Sequence, residues 1–372
     1  MEFSMSATLQ TNILNSRNVT NYILGSGQIS ELTGVLAPQR KIKNTPVVFF
    51  IDEFFTEKKL PAGFDSYEDG DSIIFIDTKA EPATDYVNTI RDQVVASANV
   101  EPCAVVGIGG GITMDVCKGV SNLLTNGGQA EDYQGWDLVK VPGVYKVGIP
   151  TLSGTGAEAT RTCVMTNTKN GLKLGMNSNF TVFDQIIMDP KLTATVPDDQ
   201  YFYTGMDTYI HCIESRAGQY RNKICDAMSE KALDLSREVF LSEDMKSDAC
   251  REALMVASYF GGAAIANSYV GVIHPFSAAL SVVLKLHHGV ANCITMRVME
   301  DFYPKEFDEF WKMADRHGQD VPEGVCKGLT DEQYQALYDS MIIHEKPLTN
   351  ALGDDFRQKL NSDRVIDLFK QM

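Results

Sequence analysis

Residues 102–115 have the sequence PCAVVGIGGGITMD, an apolar run that ends in three adjacent glycines and continues into a helical pattern. The run is typical of a buried parallel strand. The glycines leave backbone N–H groups free to approach a pyrophosphate at the N-terminus of the following helix. The stretch therefore predicts a strand–loop–helix unit that binds a dinucleotide through Gly109, Gly110 and Gly111. A tight turn without a ligand explains a glycine cluster on its own equally well.

The sequence around this stretch alternates short β-rich runs with helical patterns. Continuous Val, Ile and Phe predict strands that are buried on both faces. Between them, Thr84–Ala98 and 114–124 carry apolar residues at helical spacing. We therefore expect a doubly wound α/β fold around a parallel sheet, with a hairpin within 165–185. The predicted strands are 45–52, 71–77, 102–111, 145–152 and 185–190.

The second half of the chain has a different character. A Pro and two acidic residues at 197–199 predict a helix start. From there to the C-terminus the patterns are helical, as in 247–266 and 331–344, and they predict no strand. We expect an α/β dinucleotide-binding domain over 1–195 and an all-helical, metal-binding domain over 196–372. The apolar segment 259–266 suits either the core or the interface of a homodimer.

Charge, cysteine content and the first residues limit the possible partners and location. The formal net charge of −16 disfavours nucleic acid and membrane surfaces as partners. Eight cysteines without CxxC spacing predict buried free thiols in a reducing compartment. The opening MEFSMSATLQ lacks the basic and apolar segments of a signal peptide, and no apolar run approaches the roughly 20 residues that span a bilayer. We expect a soluble cytoplasmic protein that acts on a small molecule.

Two further features suit a nucleotide site. Asp52 ends an early β run, where its carboxylate can accept hydrogen bonds from ribose hydroxyls and disfavour a 2′-phosphate. The competing interpretation of Asp52 is an N-cap for the segment that follows. Residues 150–158, PTLSGTGAE, place small hydroxyl residues and glycines directly after a strand. Such a loop suits ligand binding, although ordinary turns use the same residue types.

The most informative pattern is a set of histidines with one aspartate. Asp207 and His211 are four residues apart in a helical segment and therefore share one face. With His274 and His288 they form a three-imidazole, one-carboxylate ligand set that suits Zn²⁺ or Fe²⁺. His288 opens a helical segment and is the better ligand of its adjacent pair, which leaves His287 beside the metal or facing the substrate. Two histidines in polar context, His317 and His344, are interpreted as surface residues.

Together these motifs resemble the iron-containing (group III) alcohol dehydrogenase family over nearly the whole chain. The family has a GGGS-x-x-D loop, a P-T-x-x-G-T-G-x-E loop, a D-x-x-x-H helix and a later H-x₁₃-H-G pair. In this sequence they correspond to 109–115, 150–158, Asp207 with His211, and His274 with His288. Ile112 departs from the family pattern where a serine is usual, and Ala278 departs where many members have a further histidine.

The resemblance implies a Rossmann-like domain joined to a helical domain, the dehydroquinate synthase-like fold, with a divalent metal (Fe or Zn) in the cleft between them. It implies that Asp207, His211, His274 and His288 are both metal ligands and catalytic residues. It also implies an NAD(P) cofactor. The residues that the resemblance or the loop pattern assigns to this cofactor are Asp52, Gly109, Gly110, Gly111, Asp115, Thr151, Ser153 and Lys173.

The activity implied by the resemblance is metal-assisted hydride transfer from a primary alcohol to NAD(P). Arg161 and Arg216 suit the carboxylate of an acidic sugar substrate, and they suit surface or interdomain positions equally well. Three other activities remain open at this point. They are an oxygen-dependent alcohol oxidase, a dehydroquinate-synthase-like lyase that uses NAD transiently, and a nucleotide-binding module without catalysis.

Overall fold

A six-stranded parallel sheet forms the centre of the first half of the chain in the computed structural model. The structure describes residues 16–56, 60–61, 63–98 and 100–372, so the opening decapeptide in which we found no signal peptide lies outside it. The strand order is β1-β9-β6-β4-β2-β3. These strands are β1 (Asn21–Leu24), β2 (Val47–Asp52), β3 (Ser72–Ile76), β4 (Ala104–Gly109), β6 (Lys146–Pro150) and β9 (Gln185–Met188).

Both faces of this sheet are covered, which explains the continuous apolar runs. In β2, Val47, Phe49 and Ile51 pack in one hydrophobic cluster, and the alternating Val48 and Phe50 pack in another on the opposite face. Helices α1 (Leu32–Lys43), α2 (Thr84–Ala98) and α3 (Gly111–Asn126) belong to this half of the chain. The predicted α/β fold is therefore confirmed, and all five predicted strands occur.

A small second sheet lies beside the main one. Its order is β5-β8-β7, formed by β5 (Gly135–Trp136), β7 (Thr162–Thr166) and β8 (Lys173–Asn177). Strands β7 and β8 pair antiparallel, with Cys163 opposite Met176. The predicted hairpin is therefore present, but it begins three residues earlier than residue 165 because β7 starts at Thr162.

The second half of the chain is helical, as predicted, and residues 196–372 contain no strand. The segment 259–266 lies in α6 with Gly261, Ala263 and Ala264 buried, so much of it belongs to the core. The helices are α4 (Asp198–Ala217), α5 (Lys223–Phe240), α6 (Asp248–Ala266), α7 (Ile273–Leu284), α8 (His288–Thr295), α9 (Pro304–Arg316), α10 (Asp331–Ile342), α11 (Glu345–Leu352), α12 (Phe356–Lys359) and α13 (Ser362–Lys370).

The loop that follows β6 joins the two halves through close backbone contacts. Gly154 has φ 142°, and a Cβ there would lie 1.7 Å from the carbonyl oxygen of Thr204 in α4. Gly156 also approaches Gly262 of α6 closely, since a Cβ on Gly156 would lie 2.5 Å from the Gly262 Cα. Ser258 Oγ accepts hydrogen bonds from the backbone N–H groups of both loop glycines. These glycines are needed for packing between the loop and the helices.

Thiol chemistry and helix hydropathy agree with the sequence patterns. All eight cysteines are buried and unpaired, which confirms the prediction of free thiols. Among the helices of the described residues, none combines the length and apolar character needed to cross a membrane.

Candidate metal centre and its cleft

A cleft of about 880 Å³ lies where the two halves meet, and it brings together the motifs of the sequence. Asp52, Gly110 and Gly111 from the α/β half lie in its lining. So do Asp207, His211, His274 and His288 from the helical half. The cleft therefore joins the glycine loop at the carboxyl end of β4 to the histidine set, the place where open α/β sheets bind ligands.

Three helices bring the four candidate metal ligands together. Asp207 and His211 lie one turn apart on α4, His274 lies in the first turn of α7, and His288 opens α8. The Nε2 atoms of His211 and His274 are each 3.3 Å from Asp207 Oδ1, and His288 Nε2 is 3.4 Å from Asp207 Oδ2. One possible ligand atom from each residue lies within 4.8 Å of all the others.

Outer contacts orient these side chains. Glu214, one further turn along α4, accepts a hydrogen bond from Nδ1 of His274 and another from the backbone N–H of Ile273. Asn292 Nδ2 donates to Asp207 Oδ1 at 2.7 Å and lies 3.2 Å from His288 Nε2. The Glu214 contact directs the other ring nitrogen of His274 towards Asp207, the arrangement that carboxylates impose on metal-ligating histidines.

The charges and unpaired atoms of this cluster fit a divalent cation. Asp207 Oδ2 and His274 Nε2 are buried, and neither has a hydrogen-bond partner among the described residues. Such atoms are costly unless a ligand satisfies them. Burial lowers the pKa of His211 to about 3, so this imidazole is neutral and able to ligate at neutral pH.

Asp207 and His274 are held in complementary charge states. Burial opposes ionisation of Asp207, but the neighbouring His211 and His288 outweigh it and hold the pKa of this carboxyl well below its usual range. Burial also lowers the pKa of His274, but Glu214 and Asp207 outweigh it and raise that pKa to about 9. A divalent cation held here would take the place of that extra proton, because a metal ligand must be deprotonated.

At the nucleotide end, Asp52 combines the two interpretations of its sequence position. Its Oδ1 accepts from the backbone N–H of Phe54 at 3.0 Å, so it caps the short 3₁₀ turn that follows β2. It also accepts from Thr78 Oγ1 at 3.1 Å and lines the cleft. Burial raises its pKa. The N-cap interpretation is therefore correct, and the ribose contact stays a prediction.

The three loop glycines have different surroundings. Gly110 and Gly111 line the cleft at the start of α3, and Ile112 lines it beside them. Gly109 is buried, and a Cβ there would lie 2.5 Å from Thr113 Oγ1. Gly109 therefore serves the close approach of strand and helix, and the other two present backbone to the cleft.

The other residues assigned to the cofactor are distributed unevenly. Asp115 and Lys173 line the cleft. Asp115 accepts from the backbone N–H of Val164 at 2.9 Å, and burial raises its pKa to about 6. Thr151 and Ser153 are buried. Within residues 150–158 the cleft is lined by Leu152, Thr155 and Ala157, not by these two.

Of the two arginines considered for a substrate carboxylate, only one lines the cleft, and Ala278 lines it too. Arg161 lines the cleft, whereas Arg216 does not and pairs instead with Glu230 at 3.3 Å. Ala278 lines the cleft one turn after His274 on α7, so α7 presents a methyl group there. His287 is exposed, and it also contributes to the cleft lining.

The prediction that His317 and His344 are surface residues is wrong. His317 is half-buried at the end of α9, and its Nε2 is shielded from solvent. His344 is half-buried at the start of α11 and lines the cleft. Burial, with Lys173 and His274 nearby, lowers the pKa of His344 to about 4. Their polar sequence context gave no signal of burial, because their neighbours are distant in sequence: Phe240 for His317, and Lys173 and His274 for His344.

Glu81 is a residue of the site that the sequence patterns missed. Its Oε1 accepts from the backbone N–H of His288 at 2.9 Å, and its Oε2 lies 3.1 Å from Lys173 Nζ. Burial by itself raises the pKa of Glu81, but Lys173 and His288 outweigh it and lower the pKa to about 2. Glu81 therefore links the α/β half to the N-terminus of α8, where negative charge is favoured.

Replacing Glu81 is expected to weaken metal binding without unfolding the protein. Glu81→Ala removes both contacts and should lower metal affinity by about 10-fold, the lower end of the effect of outer contacts in metal sites. Glu81→Gln keeps an acceptor for the His288 N–H and should lose less. Metal titration against a competing chelator measures both. Glu101→Gln, which removes a charge from the exposed pair with Lys43, is the matched control. Equal affinity in all three variants would contradict this role.

Comparison with known proteins gives a consistent family match. A family model described as iron-containing alcohol dehydrogenase matches residues 19–190. A second, described as the C-terminal part of the Fe-containing alcohol dehydrogenase family, matches residues 201–341. In fold, the chain superposes on a 1,3-propanediol oxidoreductase with a TM-score of 0.80 and 20% identity, covering 95% of this chain and 98% of that one.

Three curated relatives are more similar in sequence. The chain is 34% identical to the sulfoacetaldehyde reductase of Bilophila wadsworthia (strain 3_1_6), over 59% of this chain and 56% of that protein. It is 33% identical to the NAD-dependent methanol dehydrogenase of Bacillus methanolicus, over 61% and 59%. It is 30% identical to alcohol dehydrogenase 4 of Saccharomyces cerevisiae (strain ATCC 204508 / S288c), over 70% of each. The first two alignments span under two thirds of those relatives.

Proposed function

The chain belongs to the iron-containing alcohol dehydrogenase family, and we propose that it is a metal-dependent, NAD-linked dehydrogenase that interconverts a primary alcohol and its aldehyde. The observation that carries this proposal is the convergence of Asp207 with three histidines in the cleft that also contains the glycine loop. Relatives named as an NAD-dependent methanol dehydrogenase and a sulfoacetaldehyde reductase support the reaction type.

In this proposal the four side chains hold the metal, and the glycine loop holds the dinucleotide. A bound divalent cation supplies a Lewis acid for the substrate oxygen. Glu214 fixes the orientation of His274, and Asn292 does so for Asp207. The backbone of Gly110 and Gly111, at the N-terminus of α3, would hold the pyrophosphate. We propose NAD over NADP because the carboxylate of Asp52 disfavours a 2′-phosphate, and Fe or Zn because the ligand set suits both.

Other roles assigned from the sequence remain proposals. Lys173 faces the cleft beside the histidines, which supports a contact with the dinucleotide ribose, and Asp115 lies on the same wall. For Thr151 and Ser153 the support is weaker, since they are buried. We also propose a domain boundary near residue 195, in line with family matches that end at 190 and resume at 201. Eight free thiols support a reducing, cytoplasmic location.

At a finer level we propose that the alcohol is the C8 hydroxyl of 3-deoxy-D-manno-octulosonate (Kdo), an acidic sugar. The motif set resembles that of a Kdo 8-oxidase, whose aldehyde product would feed a PLP-dependent aminotransferase in lipopolysaccharide sugar modification. Support from the cleft comes from Arg161, which is in position to meet a carboxylate, and not from Arg216. The relatives above are named for other alcohols and aldehydes.

One set of assays tests the proposed reaction. Purified protein loaded with Fe²⁺ or Zn²⁺ should reduce NAD⁺ in the presence of Kdo or a simple primary alcohol, with NADH followed at 340 nm. Chelation should abolish the signal, and metal readdition should restore it. Oxygen uptake with peroxide, and no NADH, would instead show an oxidase. Substrate loss without net NADH would show a lyase, and NAD⁺ binding without any turnover would show a nucleotide-binding module.

A further inference from the structure

One wall of the cleft carries an excess of positive charge next to two aromatic rings. We call Trp136, Arg161, Tyr269 and Lys346 the cationic box; all four line the cleft. The Lys346 Nζ lies 3.8 Å from the centre of the Trp136 ring and 5.6 Å from that of Tyr269. The two rings meet edge to face, with centroids 5.1 Å apart. The ammonium is thus held over an aromatic corner, an arrangement that stabilises a cation.

Arg161 is only partly satisfied by its protein neighbours. Its guanidinium pairs with Asp137, whose side chain is 64% exposed, whereas the Arg161 side chain is 11% exposed. The Arg161 Nε is buried and has no hydrogen-bond partner among the described residues. Asp137 therefore contacts the Arg161 guanidinium from the solvent side and leaves the Nε–H donor without an acceptor. A buried guanidinium donor without an acceptor is costly unless a ligand pairs with it.

Lys346 has no salt-bridge partner among the described residues, and the adjacent Glu345 pairs with Arg357. The Lys346 side chain is exposed, yet partial burial lowers its pKa; Asp137 opposes this shift and Arg161 adds to it. The box and Asp137 therefore hold two cations and one carboxylate. This local excess stands out in a chain whose net charge is −16.

The box and the candidate metal centre line the same cleft. His274 of the metal centre lies in that lining together with His344, which precedes Lys346 by only two residues. Two residues span about 7 Å at most. A small molecule with one end at the metal centre can therefore reach the box with the other.

We propose that the cationic box binds an anionic group on the far end of the substrate, so that the protein acts on alcohols or aldehydes that also carry a carboxylate or a similar oxyanion. The role as a substrate subsite rests on the proposed dehydrogenase function. Arg161 and Lys346 supply the charge-assisted hydrogen bonds. Trp136 and Tyr269 hold the Lys346 ammonium in place and line the cleft beside it.

Direct binding tests the box without any turnover. The chain has two tryptophans, Trp136 and Trp311, so a Trp311→Phe background leaves Trp136 as the sole tryptophan reporter. Titration of metal-loaded protein with ω-hydroxy carboxylates of increasing chain length should change its fluorescence saturably, and the matching α,ω-diols should do so far less. Lys346→Met and Arg161→Gln should each weaken carboxylate binding by about 10- to 100-fold, as expected for loss of a charge-assisted contact. Lys327→Met, at an exposed position outside the cleft, is the matched control.

Steady-state kinetics with NAD⁺ then tests the role in substrate selection. In both box variants the KM for the hydroxy carboxylate should rise by about 10- to 100-fold with little change in kcat, because the reacting end is untouched. The KM for the neutral diol should change less than twofold. A similar rise for both substrates, or no preference for the carboxylate in the native protein, would overturn the proposal. A selective rise in the KM for NAD⁺ would also overturn it, by assigning the box to the dinucleotide.

The two proposals fail in different ways. NADH formation from neutral alcohols with no carboxylate preference refutes the box and leaves the dehydrogenase standing. Saturable carboxylate binding that depends on Lys346 and Arg161, without NADH from any alcohol, refutes the dehydrogenase and the box's role as its substrate subsite. The anion site itself would stand. Comparing carboxylate, sulfonate and phosphate probes of equal chain length identifies which anion the box prefers.

Discussion

His211→Ala is expected to abolish tight metal binding and reduce turnover by more than the roughly 10- to 100-fold that loss of an outer contact costs in metal sites. His211 is 3% exposed, and its neutral ring lies 3.3 Å from Asp207, so alanine removes a ligand that no nearby group replaces. The double variant Asp207→Ala/His211→Ala should lose the metal completely. Metal content after dialysis and NADH formation measure both effects.

A second readout does not depend on catalysis. A cation that binds only the folded protein stabilises it by mass action, by about 2.7 kcal/mol at one hundred times its Kd. The melting temperature of the native protein should therefore rise with added metal, and that of His211→Ala should not. His317→Ala, at a half-buried histidine outside the cleft lining, should respond like the native protein. Full activity in metal-free His211→Ala would refute the ligand assignment.

Much of the fold was predictable because its strands are buried on both faces. Strands such as β2 and β4 have almost no exposed residue, and this gives the continuous apolar runs that mark a parallel sheet. Strand β1 was missed for the opposite reason. It has four residues, lies at the edge of the sheet, and leaves Tyr22 60% exposed. Its pairing with β9 depends on a contact far along the chain that no local pattern indicates.

The candidate site was predictable only where one element carries several of its residues. The spacing of Asp207 and His211 places both on one face of α4, and the glycine loop follows its strand directly. Glu81 has no such signal, because its contact with the His288 N–H joins residues 207 positions apart. His344 likewise has no local signal, since nothing in its polar sequence context indicates that it lines a cleft. The roles of such residues depend on contacts between distant parts of the chain, and local hydrophobic periodicity does not indicate those contacts.

The loop glycines show how a ligand-binding motif also serves packing. The sequence of residues 150–158 suited a ligand loop, yet Gly154 and Gly156 lie against the backbone of α4 and α6. The Gly154 carbonyl accepts a hydrogen bond from Thr208 Oγ1 at 2.7 Å, directly beside Asp207. The position of the loop and that of Asp207, the first candidate metal ligand, are therefore coupled through Thr208.

Gly154→Ala is expected to destabilise the protein by about 4 kcal/mol, adding roughly 1–3 for a strained backbone and roughly 1–3 for overpacking. The backbone angle φ of 142° is unfavourable for alanine, and the new methyl would lie 1.7 Å from the Thr204 carbonyl oxygen. Gly171→Ala is the matched control, because it also has a positive φ, 72°, but no atom within 4 Å of the added methyl. Urea denaturation compares the two, and equal destabilisation would show that the contact with α4 is unimportant.

The Gly154 variant should also weaken metal binding. The loop can relieve the clash only if it and α4 move apart, and α4 carries Asp207 and His211. If Gly154→Ala fails to fold, Ser258→Ala tests the same interface more gently. The Ser258 hydroxyl accepts from the N–H groups of Gly154 and Gly156 and donates to Glu158 at 2.7 Å. Its loss should cost about 1–3 kcal/mol, the penalty for buried groups left unpaired. Unchanged stability and metal affinity in Ser258→Ala would separate the loop from the metal centre and contradict the coupling.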